Sequence, residues 1–159
     1  MKITILTVGK IKEKYFTAAI AEYAKRLNRY CKLEIIEIQD EKTPDNASDH
    51  EMDLIRQKEG ERLKKYIRDG AYVIALAIEG RQYSSEKFAA HINNLGIQGT
   101  SHIIFVIGGS IGIDSEILQS ADELISFSEM TFPHQLMRVV LLEQVYRAYR
   151  IIKGEPYHK

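Results

Sequence analysis

Apolar residues follow two rhythms along this chain. Nearly continuous apolar runs recur at residues 2–8 (KITILTV), 31–38 (CKLEIIEI), 72–80 (YVIALAIEG) and 102–107 (HIIFVI). Between them, apolar positions space out by three and four, as Phe16, Ile20, Tyr23 and Leu27 do in residues 12–30. Continuous runs predict strands buried on both faces, and the wider spacing predicts amphipathic helices. Further helices are expected at about 49–68, where the segment RDG closes the helix, and at 84–96, capped by serine and ended by glycine. A short helix near 114–120, a strand at 122–128 (DELISFS) and a long helix from about 134 to 152 complete the pattern.

Strands alternating with helices predict an α/β fold, a mostly parallel sheet with helices on both faces. At 159 residues, one domain spanning 1–159 is expected. Ligands of such sheets sit beyond the carboxyl ends of the strands. Three stretches therefore draw attention: LAIEGRQ after the third strand, IGGSIG after the fourth and SFSEMTFPH after the fifth.

Composition narrows the class further. Apolar residues make up 45% and charged residues 28% of the chain, an ordinary globular balance. No apolar run approaches the ~20 residues of a membrane span, and the N-terminal MKITILTVGK lacks a cleavage-site pattern, so it reads as a strand. Cys31 is the only cysteine, which excludes an intrachain disulfide and suits a buried thiol. A cytoplasmic location is expected. Net charge is zero, yet residues 1–32 carry eight Lys/Arg against two acids and residues 133–159 five against two, while residues 33–132 are acidic. A zero total argues against indiscriminate attraction to nucleic acid, and leaves a local basic patch open. His50, His91 and His102 lack metal-ligand spacing, so no metal is expected.

The glycine segment FVIGGSIGIDSEI resembles a cofactor turn, but spacing excludes the commonest ones. It is neither G-x-x-x-x-G-K-[ST] nor G-x-G-x-x-G, and no Lys or Arg follows Gly108, Gly109 and Gly112 until Arg138. Asp114 and Glu116 fall where the next helix begins and would repel a phosphate there. The turn suits a ligand held by backbone groups, or a purely structural corner.

The later segment SFSEMTFPHQLMRVVLLEQVYRAYRI shifts that balance. Together with VGK, EIIEI, FVIGGSIG and the ending PYHK, it resembles the RlmH (YbeA-like) family of SPOUT-superfamily rRNA methyltransferases, along the whole chain. The resemblance implies a C-terminal trefoil knot, a homodimer and S-adenosylmethionine as methyl donor. It implies methylation of N3 of a pseudouridine in helix 69 of 23S rRNA on the assembled ribosome. Leu76, Gly108, Gly109 and the run Phe127, Ser128, Glu129, Met130, Thr131, Phe132 would hold the cofactor. Arg147, Tyr157 and His158 would handle the target base and its proton, supported by His134, Arg138 and Lys159. His158 suits a general base because an ordinary imidazole titrates near ~6.5.

Without the resemblance, Leu76 reads as a core leucine, Met130 and Phe132 as corner packing, and PYHK as a frayed tail. A non-catalytic nucleotide- or ribosome-binding α/β module is the alternative function. The apolar residues of 134–152 (Leu136, Val139, Val140, Leu142, Val145, Tyr146 and Tyr149) exceed one stripe, which favours a second subunit covering part of them.

Overall fold

The structure, a computed structural model, describes residues 1–158. Five parallel strands, β1 (Lys2–Val8), β2 (Lys32–Ile38), β3 (Tyr72–Arg81), β4 (His102–Ile107) and β5 (Glu123–Ile125), form one sheet in the order β2-β1-β4-β3-β5. The helices are α1 (Lys14–Leu27), α2 (Asp49–Lys64), α3 (Ser85–Ile97), α4 (Ser115–Ser120) and α5 (His134–Ile152). The predicted α/β architecture is what forms.

Alternation along each strand builds two cores. Ile103, Phe105 and Ile107 face one side with Ile3 and Ile5, under α1, α3 and α5. Ile104 and Val106 face the other side with Leu6 and Val8, where α2 and α4 supply Leu63 and Ile117. This is the period-2 consequence of a pleated strand covered on both faces. Local signals set the helix starts: Ser48 and Glu51 form a reciprocal capping box at α2, and Ser84 Oγ accepts from Lys87 N at α3.

Three boundaries differ from expectation. α1 is shorter than 12–30 and α2 stops before 68. β5 keeps only Glu123–Ile125 of the expected 122–128. After Ile125 the backbone leaves the sheet: Ser126 N donates to Arg81 O, and Ser126 Oγ turns onto Ser128 O. Alternation in DELISFS suits a strand, but β3 offers it no further ladder partner, because both Leu76 and Arg81 pair with Ile125 and residues 77–80 bulge away.

Arg138 ties α5 to the sheet. It is only 1% exposed; Nη2 donates to Val8 O (2.8 Å) and Gly9 O (2.7 Å), and Nη1 to Glu37 Oε2 (2.7 Å). Burial lowers its affinity for the proton, while Glu37 opposes that shift. The expected supporting role for Arg138 at the substrate is therefore corrected. Its guanidinium is consumed by the ends of β1 and β2.

Candidate functional site

The carboxyl ends of β3, β4 and β5 surround a cleft of about 840 Å³. All three loops singled out in the sequence line it. Leu76, Ala77, Ile78 and Glu79 come from the β3 bulge, Gly108 to Ile113 from the turn after β4, and Ser126 to Ser128 with Met130 to His134 from the segment after β5. The walls are largely apolar, and Ile78 (54%) and Met130 (76%) form an exposed rim. Such a cavity accommodates a small organic ligand of cofactor size. Of the expected cofactor residues, Leu76, Gly108, Gly109, Phe127, Ser128, Met130, Thr131 and Phe132 line the cleft, and Glu129 does not.

The turns have identifiable causes. A Cβ on Gly108 would lie 2.7 Å from the Gly112 carbonyl carbon, so Gly108 is required by the closure of its own loop. The space on its Cβ side is filled by the loop's own backbone, while Gly108 itself lines the cleft. Gly112 carries a positive φ of 90°, a region that favours glycine. Gly80 lets β5 pass: a Cβ there would meet the Ile125 backbone at 2.6 Å. In the β5 loop, Ser128 Oγ accepts from Met130 N at 2.9 Å, closing a short side-chain turn.

Arg56, absent from the sequence reading, and His134, named there only as a supporting group, complete the cleft. Arg56 of α2 donates through Nη1 to Ile111 O at 3.0 Å and lines the cavity. Its position amid the many charges of α2 carried no signal. His134 lines the cleft at the start of α5, and burial, then the Arg138 charge, pushes its proton affinity below the ordinary value, which favours a neutral imidazole. Behind the glycine turn, Glu59 is 4% exposed; Oε2 accepts from Glu41 N at 3.0 Å and Oε1 has no partner.

The expected catalytic residues gather elsewhere, none of them lining the cleft. Glu143 of α5 is their hub: Arg147 Nε (3.0 Å) and Nη2 (2.5 Å) and Tyr157 Oη (3.0 Å) all donate to its Oε1. The Arg147 guanidinium stands 4.7 Å from the Tyr157 ring centre, and Arg147 Nη1 lies 3.1 Å from His158 Nδ1. His158 Nε2 lies 2.7 Å from Glu86 Oε1. Burial first, then the bond to Glu143, holds the Tyr157 phenol well above its usual range. PYH is thus docked, not frayed; Lys159 lies outside the described residues. The Glu143–Arg147 spacing of four, a common helix ion pair, was the available clue to the hub.

A smaller recess of about 290 Å³ adjoins the cleft. It shares Ile125, Ser126, Phe127 and Phe132 with the cleft and reaches Ser85 and Gln144. Ser85 Oγ donates to Gln144 Oε1 (2.8 Å), and Gln144 Nε2 to Glu143 Oε2 (2.8 Å). Among the described residues no group of three or more His, Cys, Asp or Glu could hold a metal ion. No helix of the structure is long and apolar enough to cross a membrane.

An all-parallel α/β sheet with its cleft at the carboxyl ends of the strands defines a ligand-binding domain of the doubly covered class. Comparison with known proteins specifies it further. The family described as "Predicted SPOUT methyltransferase" matches residues 1–158, and the chain belongs to this family. A protein of Bifidobacterium adolescentis called "Ribosomal RNA large subunit methyltransferase H" is 67% identical over all of both chains. A protein of Clostridium kluyveri with the same name is 62% identical, again over all of both chains. Among solved structures, "The structure of a probable methylase family protein from Haemophilus influenzae Rd KW20" is similar in fold, with a TM-score of 0.53 at 12% identity, covering 99% of this chain and 70% of that one.

Proposed function

We propose that this protein is an rRNA methyltransferase of the large ribosomal subunit, using S-adenosylmethionine to methylate N3 of a pseudouridine in helix 69 of 23S rRNA. Two full-length relatives carry the corresponding rRNA methyltransferase name. The observation that carries the reading is the cleft built from all three post-strand loops, next to a recess whose Gln144 is hydrogen-bonded to Glu143, the hub of the Arg147–Tyr157–His158 group. Its apolar walls fit an adenosine, and a single Arg with no Lys in its lining suits a ligand without a polyphosphate.

When bound, S-adenosylmethionine supplies a methyl group made electrophilic by its sulfonium. The protein's residues then have two tasks, to hold the base in line and to manage the N3 proton. Arg147 stabilises the negative charge that develops on the imide as N3 gives up its proton. Tyr157 stacks on the base, and His158 accepts the N3 proton once Nδ1 is released from Arg147. Arg147 Nη1 lies 3.1 Å from Nδ1, so the contact must open before Nδ1 can take a proton.

The working unit is a homodimer acting in the cytoplasm. α5 buries Leu141, Leu142, Val145, Tyr146 and Tyr149 within its own chain, but Leu136, Val139 and Val140 stay half-exposed along one side. A second subunit covers that strip and brings its basic N-terminal segment near the cofactor loops. The trefoil knot belongs to the same reading. It is supported by the return of α5 from the outer strand β5 to pack against α1 and α3. The test is nucleoside mass analysis of 23S rRNA after ribosomes lacking the modification are incubated with protein and isotopically labelled methyl donor. Label in 3-methylpseudouridine from helix 69 is the expected result; label in another nucleoside, or none, overturns the assignment.

A further inference from the structure

We infer that Arg56 binds the carboxylate at the amino-acid end of the methyl donor, an inference that rests on the S-adenosylmethionine reading above. Among the residues lining the 840 Å³ cleft, Arg56 is the only Lys or Arg. Its guanidinium sits at the far side of the glycine turn, fixed through Nη1 to Ile111 O at 3.0 Å. On the other flank Nη2 is ion-paired to Asp53. These two contacts use two of the five N–H donors of a guanidinium, so three remain to be shared between ligand and water.

Chemistry selects the partner. An adenosine matches the apolar walls supplied by Leu76, Phe127 and Phe132, leaving the polar amino-acid end to find its own contacts. That end carries one carboxylate, and a planar guanidinium meets a carboxylate with two parallel hydrogen bonds. One fixed cation matches one carboxylate charge. A triphosphate would bring several negative charges into a wall holding Glu79 and a single Arg. Arg56 is also favourably placed energetically, because its side chain is only 25% exposed and anchored before any ligand arrives. Asp53 is 61% exposed, so its hold on Nη2 is weakened by water and can be shared.

The reading separates Arg56 from a purely structural prop of the glycine turn. A prop would support every adenosine ligand alike. A carboxylate receptor distinguishes ligands that differ only in that group. Decarboxylated S-adenosylmethionine retains the adenosine, sulfonium, methyl and amine, and lacks only the carboxylate.

Calorimetric titration of the full-length protein with both compounds tests this, in the wild type, Arg56→Gln and Asp53→Asn. The wild type is expected to prefer S-adenosylmethionine by roughly tenfold, the size of one charge-assisted contact. Arg56→Gln should erase that preference while changing affinity for the decarboxylated compound less than about twofold. Asp53→Asn, an exposed site where folding is not at risk, should tighten only S-adenosylmethionine, by freeing Nη2. Equal weakening of both ligands in Arg56→Gln overturns the inference, leaving Arg56 as a loop support. Wild-type binding without preference, or a preference that survives Arg56→Gln, overturns it as well. Should Arg56→Gln fail to fold, an Asp53→Asn protein that binds both ligands as the wild type does overturns it alone. Failure of the wild type to bind either compound instead removes the S-adenosylmethionine reading beneath it.

Discussion

Arg147 Nη1 lies 3.1 Å from Nδ1 of His158. A guanidinium only donates, so Nδ1 must present its lone pair to Arg147 and the ring proton must sit on Nε2, which donates to Glu86 Oε1. The imidazole that the tail offers as a base is therefore occupied at both nitrogens. Arg147 is in turn held by Glu143, which raises its already high proton affinity, chiefly through their hydrogen bond. A substrate that draws Arg147 away frees Nδ1 in the same movement.

Removing residues 156–159 deletes this arrangement without touching the cleft. Affinity for S-adenosylmethionine should stay within about twofold while methyl transfer to ribosomes falls at least ~100-fold, the scale of a lost general acid–base group. Calorimetry and single-turnover transfer measure the two. Undiminished transfer by the truncated protein would show the tail to be a bystander.

Two neighbouring glycines should respond differently to one added methyl group. In Gly108→Ala the new Cβ meets Gly112 backbone at 2.7 Å, whereas in Gly109→Ala its tightest contact is Val8 Cγ1 at 3.1 Å, with the Glu59 carboxylate oxygens at an ordinary 3.6 Å. Backbone yields less readily than a side-chain methyl. Gly108→Ala should therefore cost about 1–3 kcal/mol in denaturant unfolding and abolish cofactor binding. Gly109→Ala should retain binding, and the reverse order in the unfolding midpoints would contradict the loop geometry.

Placing a carboxylate on the half-exposed strip of α5 tests the dimer. The unaltered protein should sediment as a dimer at micromolar concentration and Val140→Glu as a monomer. Val140 also borders the recess, so a melting temperature and circular dichroism spectrum near those of the parent confirm that the fold survives. A monomeric parent protein removes the dimer altogether.

Glu59 gives the stability a pH signature of known sign. Burial, the largest cause, and the nearby Asp40 and Glu41 charges raise its proton affinity above the ordinary value of 4.5, with the Glu41 amide and Arg62 opposing. Between the unfolded and the raised folded value the native state binds more proton, so this group's contribution is present at low pH and lost as pH rises through the folded value. Glu59→Gln removes that loss. Its stability relative to the parent should improve steadily as pH increases above about 4.5. Urea midpoints across pH 4–8 read the difference, and a constant offset would mean that Glu59 is ionised without penalty.

The strands, the helices and the three loops of the cleft were legible because they are local. Short, β-branched apolar runs such as HIIFVI favour strands covered on both faces, and parallel order then sends the loops after β3, β4 and β5 to one edge of the sheet. The proposed catalytic role of Arg147, Tyr157 and His158 comes from family resemblance alone, while their clustering around Glu143 is seen only in the structure. Long-range packing was not legible. DELISFS alternates like a seven-residue strand, yet it stops at Ile125 because β3 bulges away at residues 77–80. Arg138 reads as a supporting group for the substrate, yet it is buried where α5 meets the end of β1, whose carbonyls at Val8 and Gly9 take its protons beside the Glu37 carboxylate of β2. Gly108 lines the cleft, yet what requires a glycine there is the close approach of Gly112. Arg56 stands more than fifty positions from Ile111, with no periodicity to connect them. Sequence by itself determined which segments could be buried and on which edge the ligand loops emerge, since those follow from local hydrophobic spacing. Only the tertiary structure decided which charges are consumed, which glycines are crowded and which side chains meet, because those depend on contacts between residues far apart in the chain.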